Sequence, residues 1–351
     1  NIPGSIIVPG FIDIHMHGLG RHGPKEKEDI IGMSCLEPRY GTTAFMPTLA
    51  SATHKEYLKF LQDVKEILKA QPEERAQVLG AHSEGPYINP AMKGGMDEKY
   101  FRPPRREEYQ ELIRSGGKDL RMMTLSPELP GSIDLIRSLG KNGTVASMGH
   151  SVAREDDLRK AIKAGLTHIC HLYNAFPPPR EKELGVREPA LTDICLSSEG
   201  LTAEVICDGI HVHPTMIRLA IKAMGIQNVI AITDSMVGTG LPEGIYEMSD
   251  GRKFFTKKED VARLVEDKDT IVGSILTMNY ALRNLVEKCG LSLPQACRLT
   301  SLNPARVIGM DKITGSIEVG KKADLAILDA DFECLATFIE GKLVYQRSNG
   351  K

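Results

Sequence analysis

No run of apolar residues in this sequence is long enough to cross a bilayer, and no secretory leader is visible near its start. A basic surplus is also missing. The 44 Lys and Arg face 46 Asp and Glu, for a formal net charge of −2, which argues against nucleic acid or another polyanion as partner. The 7 cysteines (Cys35, Cys170, Cys195, Cys207, Cys289, Cys297 and Cys334) never fall in CxxC spacing, and their number is odd. Small core residues in a reducing, cytoplasmic setting are therefore expected, not a disulfide framework. There is no Gly-rich phosphate loop after the first predicted strand, which a doubly wound nucleotide-binding sheet would usually carry. The chain opens with Asn1 and enters an apolar segment almost at once, so a preceding N-terminal segment is expected.

What is present is a strong alternation of elements. Hydrophobic residues make up 41% of the 351, enough for a sizeable core. Short apolar strands are expected at 12–17, 42–47, 78–84, 121–126, 145–150, 167–171, 202–208 and 229–234. Amphipathic stretches lie between most of them. That at 54–71 has apolar residues at helical spacing; that at 154–165 ends in Gly; that at 214–225 has Pro near its start. Eight strands alternating with helices predict an α/β fold, a TIM-like (β/α)8 barrel over 8–305. After 305 the texture becomes short, alternating and turn-rich. This predicts antiparallel strands at 306–351, forming a small β-sandwich domain with residues 1–7 and the expected preceding segment. The polar stretch 246–270 reads as a solvated surface excursion.

Barrel enzymes place their chemistry at the C-terminal ends of the strands. In "VPGFIDIHMHG" the first strand ends in His15 and His17, which sit two apart and so share a face. The third ends at Glu84 in "AHSEGPY", the fifth at His150 in "MGHS", the sixth at His171 in "CHLYNA" and the eighth at Asp234 in "ITDSM". One histidine at a strand end is usually just a satisfied polar group. Five of eight ends carrying a histidine or carboxylate point to a divalent metal, with zinc the first choice.

Those motifs, with "DGIHVHP", "VGSILTM" and the closing "GSIEVGKKADLAIL", resemble the amidohydrolase superfamily and more narrowly its N-acetylglucosamine-6-phosphate deacetylase family. The resemblance implies a distorted metal-dependent barrel with a small β-sandwich from both chain ends. It implies Glu84, His150 and His171 as principal metal ligands, Asp234 as catalytic carboxylate, and His15 and His17 as a second metal position that some members keep. Zn2+ is the implied ion, as one ion or two, with Fe2+ or another divalent ion open. His211 matches a substrate-binding residue partly shared across a dimer interface, and Asn174 and Ala175 match contacts to a sugar phosphate. The implied reaction is hydrolysis of the N-acetyl group of an N-acetylhexosamine 6-phosphate, N-acetyl-D-glucosamine 6-phosphate first, by a homodimer. A different deacylase or cyclic-amide hydrolase of the superfamily is the alternative, and a non-catalytic relative is the rival from another class, disfavoured by the intact ligand and acid set.

From residue type, Met278 is a candidate for lining the acetyl methyl pocket. Two departures from the family pattern bear on substrate. Met96 stands where the family usually has a carbonyl-polarising histidine, and methionine cannot donate a hydrogen bond to an oxyanion. The loop after "HLYNA" is long, so Arg187 in "REPA" competes with Arg180 and Lys182 for the phosphate.

Overall fold

The computed structural model describes residues 4–70, 72, 74–179, 181–248, 250–257 and 261–348. Eight parallel strand positions form the central sheet, at Phe11–Met16, Thr42–Ala50, Gln77–Val78 continued by Ala81–Glu84, Leu120–Leu125, Val145–Met148, His168–Ile169, Thr202–Ile206 and Val229–Ile232. All eight expected strands are found. The circuit is nearly closed at its C-terminal rim, where the Asp234 N–H donates to His15 O at 3.0 Å and the His17 N–H to Ser235 O at 2.7 Å.

The third strand breaks at Gly80, whose φ of +138° favours glycine, and a Cβ there would lie 2.8 Å from Asp119 O. Strand residues are buried on both faces, which explains their near-continuous apolar runs. Ile12, Ile14, Ala44, Met46, Met122, Ile206, Ile230 and Ile232 pack together inside the barrel. Met16 shares the parity of Ile12 and Ile14 yet packs with the helix-side cluster. The irregular pairing between Asp13 and Met16 makes that switch and turns His15 inward.

The helices follow their patterns. His54–Ala70 buries Tyr57, Phe60, Leu61, Val64 and Ile67 on one stripe. Glu155–Ala164 stops at Gly165, which is left-handed with φ +113°. Pro214–Met224 opens with its proline in the first turn.

Both chain ends meet in one antiparallel sheet. Ile6–Pro9 pairs with Leu325–Leu328, followed by Cys334–Ile339 and Lys342–Gln346. The strand Ile6–Pro9 runs across residue 8, where the sequence put the barrel's start.

The stretch 246–270 corrects an expectation. It is no solvated loop but most of a four-stranded antiparallel sheet, Gly244–Glu247, Lys253–Thr256, Ala262–Leu264 and Ile271–Gly273. Its high mean polarity hides an alternation: Phe254 and Thr256 turn inward while Lys253 turns out. Six of the cysteines are buried and free; Cys35 is free but exposed, which departs from the expected core role. Among the described residues no helix is long and apolar enough to cross a membrane.

Candidate metal centre and active site

Every carboxylate and histidine picked out at the strand ends arrives at one point. Glu84 stands in the middle. Its Oε1 lies 3.2 Å from His150 Nε2 and 3.0 Å from His171 Nε2, while Oε2 lies 3.2 Å from His17 Nε2. Asp234 Oδ1 is 3.2 Å from His17 Nε2 and 3.7 Å from His15 Nε2. Two of the donor sets that result, side by side and sharing no residue, are Glu84–His150–His171 and His15–His17–Asp234, each with its ligand atoms within 4.8 Å of one another. His150, His171 and Asp234 hold left-handed φ values of 49°, 22° and 50°, conformations that cost a non-glycine residue energy and cluster at functional sites.

Two of the outer nitrogens are fixed from behind, while that of His171 is buried with no hydrogen-bond partner among the described residues. His17 Nδ1 lies 2.8 Å from Thr48 O and His150 Nδ1 lies 2.6 Å from Met92 O. A carbonyl can only accept, so the proton sits on Nδ1 and the Nε2 lone pair points into the cluster. His150 Nε2 and His171 Nε2 are 3.1 Å apart, and those of His15 and His17 are 3.3 Å apart. Facing lone pairs beside carboxylates need positive charge between them.

The acid–base balance says the same. Burial disfavours a charged His17, yet the hydrogen bonds and charges of Asp234 and Glu84 push it up to about 9. His15 and His171 are likewise raised well above the ordinary histidine value, against burial, by the neighbouring Cys170 and carboxylates. Burial works to raise Glu84 and Asp234, but the facing histidines hold both below the ordinary carboxylate range. A pocket that draws protons so strongly draws a divalent cation for the same reason, and its imidazole and carboxylate donors suit one. His82 sits beside the cluster but is not part of this arrangement. Burial and then the His15 charge push it down to about 3, and its nitrogens face Ile14 O and Thr124 Oγ1.

The cluster forms the floor of a cavity of about 410 Å³. His17, Glu84, His150, His171, Asp234, Asn174, Ala175 and His211 all line it, as does Met96. His15 is fully buried just behind. His211 is fixed by Asp208 at 2.5 Å, and Asn174 Oδ1 is buried with no hydrogen-bond partner among the described residues.

Two expected residues lie elsewhere. Met278 opens the helix Met278–Glu287 and is buried in the helix-side core, so it does not line the cavity. Arg187 sits on an exposed hairpin, Glu181–Glu183 with Val186–Arg187, its side chain 67% exposed and paired with Asp193 at 3.4 Å. It does not line the cavity of its own chain. Lys182 is exposed on the same hairpin, and Arg180 lies outside the described residues.

The sequence reading passed over several residues that do reach the site. Arg252 lines the cavity, pairs with Asp250 at 2.7 Å and donates to Gly95 O at 2.7 Å, tying the inserted sheet to the Met96 loop. Met236 and Met248 also line it. Glu204 lies fully buried behind His15. The alternation in "RKFFT" was the available signal for Arg252. Glu204 carried a different one, a charged residue inside an otherwise apolar strand run.

Comparison with known proteins agrees with the geometry. The amidohydrolase family model matches residues 6–344. The N-acetylglucosamine-6-phosphate deacetylase of Bacillus subtilis is 35% identical over 97% of this chain and 85% of its own length. An N-acetylgalactosamine-6-phosphate deacetylase of Escherichia coli O157:H7 is 31% identical over 97% of this chain and 88% of its own. Among solved structures, a point mutant of the Mycobacterium smegmatis N-acetyl-D-glucosamine-6-phosphate deacetylase, in complex with N-acetyl-D-glucosamine-6-phosphate, superposes with a TM-score of 0.89. It is 30% identical and covers 97% of this chain and 87% of that one. This chain therefore belongs to the amidohydrolase family, in its N-acetylglucosamine-6-phosphate deacetylase branch.

Proposed function

We propose that the protein removes the acetyl group of an N-acetylhexosamine 6-phosphate, N-acetyl-D-glucosamine 6-phosphate first, releasing acetate and the amino sugar phosphate. The observation that carries this reading is Asp234. It stands at the cavity floor, held ionised by histidines, 3.2 Å from His17 and beside the Glu84–His150–His171 set. A divalent ion held there supplies Lewis acidity, which acidifies an attacking water and polarises the amide carbonyl. Asp234 accepts the water's proton at Oδ1 and passes it to the departing amine. Glu84, engaged through both oxygens, fixes the spacing of the two donor sets, while the Thr48 and Met92 carbonyls keep His17 and His150 aimed inward. The unpartnered Asn174 oxygen and the Asp208-fixed His211 give the cavity wall polar groups for a sugar. Zinc best suits the mixed imidazole and carboxylate donors, with Fe2+ its competitor, in the Glu84–His150–His171 set first and the His15–His17 set second.

Arg187 on its exposed hairpin supports a homodimer in which that hairpin reaches a neighbouring copy's cavity and meets the phosphate there. The free, mostly buried cysteines support a reducing, cytoplasmic setting. The test is acetate release from N-acetylglucosamine and N-acetylgalactosamine, each with and without the 6-phosphate. Preference for a phosphorylated sugar supports the reading; no release from any of the four overturns it.

A second reading is favoured by one observation. Met96 puts a thioether in the cavity wall where the family resemblance expects a histidine donor. A deacylase or cyclic-amide hydrolase whose substrate places its carbonyl elsewhere in the cavity would not need a donor at this position. Release from unphosphorylated sugars alone, or activity only on cyclic amides, would favour this alternative.

A further inference from the structure

We infer that Glu204, backed by His168, is the positioning residue of the His15 half of the centre. The inference rests on reading the cluster as a metal centre. Glu204 is wholly buried on the seventh barrel strand, and its two oxygens face two buried imidazoles. Oε2 lies 3.0 Å from His15 Nδ1, and Oε1 lies 3.1 Å from His168 Nε2. His168 Nδ1 is held in turn at 2.6 Å by Thr202 Oγ1. The Glu204 Oε2 also accepts the His171 N–H at 3.4 Å. One carboxylate thus links the first, sixth and seventh strands below the rim.

A buried carboxylate is costly unless its partners repay the lost hydration, so one inside the barrel calls for a reason. The orientation of His15 supplies it. His17 and His150 are aimed by neutral backbone carbonyls. His15 instead faces a buried carboxylate oxygen at Nδ1, 3.0 Å away. A carboxylate there fixes the proton on Nδ1, leaves Nε2 free to point at Asp234 and Glu84, and makes the imidazole a stronger electron donor. Cys170 Sγ is the other group near that nitrogen, at 3.6 Å, a weaker acceptor than a carboxylate. His168 Nε2 stands at ion-pair distance from the second oxygen, without hydrogen-bond alignment, and limits how far Glu204 can turn away.

The test is metal stoichiometry and affinity, measured on full-length protein by elemental analysis and by titration of metal-stripped protein with Zn2+. Wild type is expected to take up two ions. Glu204→Gln keeps the shape and removes the charge, and should weaken the second ion about 10–100-fold while leaving the first near its wild-type affinity. Glu204→Asp, which restores the charge at a shorter reach, should recover part of the loss. A merely structural role would lower the melting temperature of Glu204→Gln with both ions still bound at wild-type affinity, and that result overturns the inference. Should Glu204→Gln fail to fold, His168→Asn keeps the carboxylate but loosens it. It should weaken the second ion several-fold, and unchanged affinity overturns the inference. A wild-type protein that binds one ion also overturns it, whereas one that binds none overturns the metal-centre reading itself.

Discussion

The cavity has two kinds of wall. Its floor is the rim of the barrel, where His17, Glu84, His150, His171 and Asp234 come from five strands and are buried or nearly so. Its sides are loops and inserted elements: the Gly94–Gly95–Met96 turn, the sheet from Gly244 to Gly273, and near them the exposed hairpin bearing Arg187. On the floor, position follows from hydrogen-bonded strand pairing, and His17 and His150 are held besides by the Thr48 and Met92 carbonyls. On the sides, position depends on a few contacts such as Arg252 to Gly95 O. The proposed reaction chemistry thus sits on the paired strands of the barrel, and the proposed substrate contacts on the part that insertions can reshape without disturbing it.

The sharpest test of the floor is Asp234→Asn. The amide keeps the shape and loses the proton acceptor, so kcat should fall about 10²–10⁴-fold while bound metal and KM change little. Steady-state kinetics with metal analysis on the same preparation checks it, and near-wild-type turnover would sink the proton-transfer role.

His171→Ala should come next. Removing one of the three proposed principal ligands should weaken the first ion by more than about 100-fold, beyond the cost of an outer partner. Full metal occupancy after dialysis against a chelator would show that the ion sits elsewhere.

The sides should respond differently, because they hold no metal ligand. At Gly95 an added Cβ would lie 2.7 Å from Val272 Cα and 2.8 Å from Ile271 O, both backbone atoms with little freedom to yield. Gly95→Ala should therefore push the Met96 turn outward and lower kcat/KM by up to about 100-fold through misplacement, with metal content unchanged. Loss of metal in this variant would mean that floor and sides are not separable.

The smallest expected effect is that of Arg187→Ala. If the hairpin meets the phosphate in a neighbouring copy, losing a charge-assisted pair should raise KM about tenfold for the phosphorylated sugar and leave the unphosphorylated one unaffected. Unchanged KM for both would move the phosphate to Arg252, the arginine that lines the cavity in this chain.

The same division governed what could be read in advance. The eight strands showed as apolar runs because a strand covered on both faces needs an apolar residue at nearly every position. Five of the eight ends showed as a histidine or carboxylate closing the run, and these became the cluster. The inserted sheet was missed because its outward residues are charged, so its average resembles a loop while only Phe254, Ala262 and their neighbours turn inward. Met278 was misplaced for the opposite reason: an apolar residue near the site in sequence serves the core equally well, and residue type does not distinguish the two.

The sequence by itself determined the barrel, the donor types and their place at the strand ends, because hydrophobic period and residue chemistry are local properties. The tertiary structure decided the rest. The irregularity between Asp13 and Met16 turns His15 inward against simple alternation. Glu204, 189 positions from His15, becomes its partner only when the barrel closes. Arg252 reaches the Met96 turn, 157 positions away from Gly95, only when the inserted sheet folds over the cavity. Such contacts join residues distant in the chain, and the pattern within any one segment carries no record of which distant segment will face it.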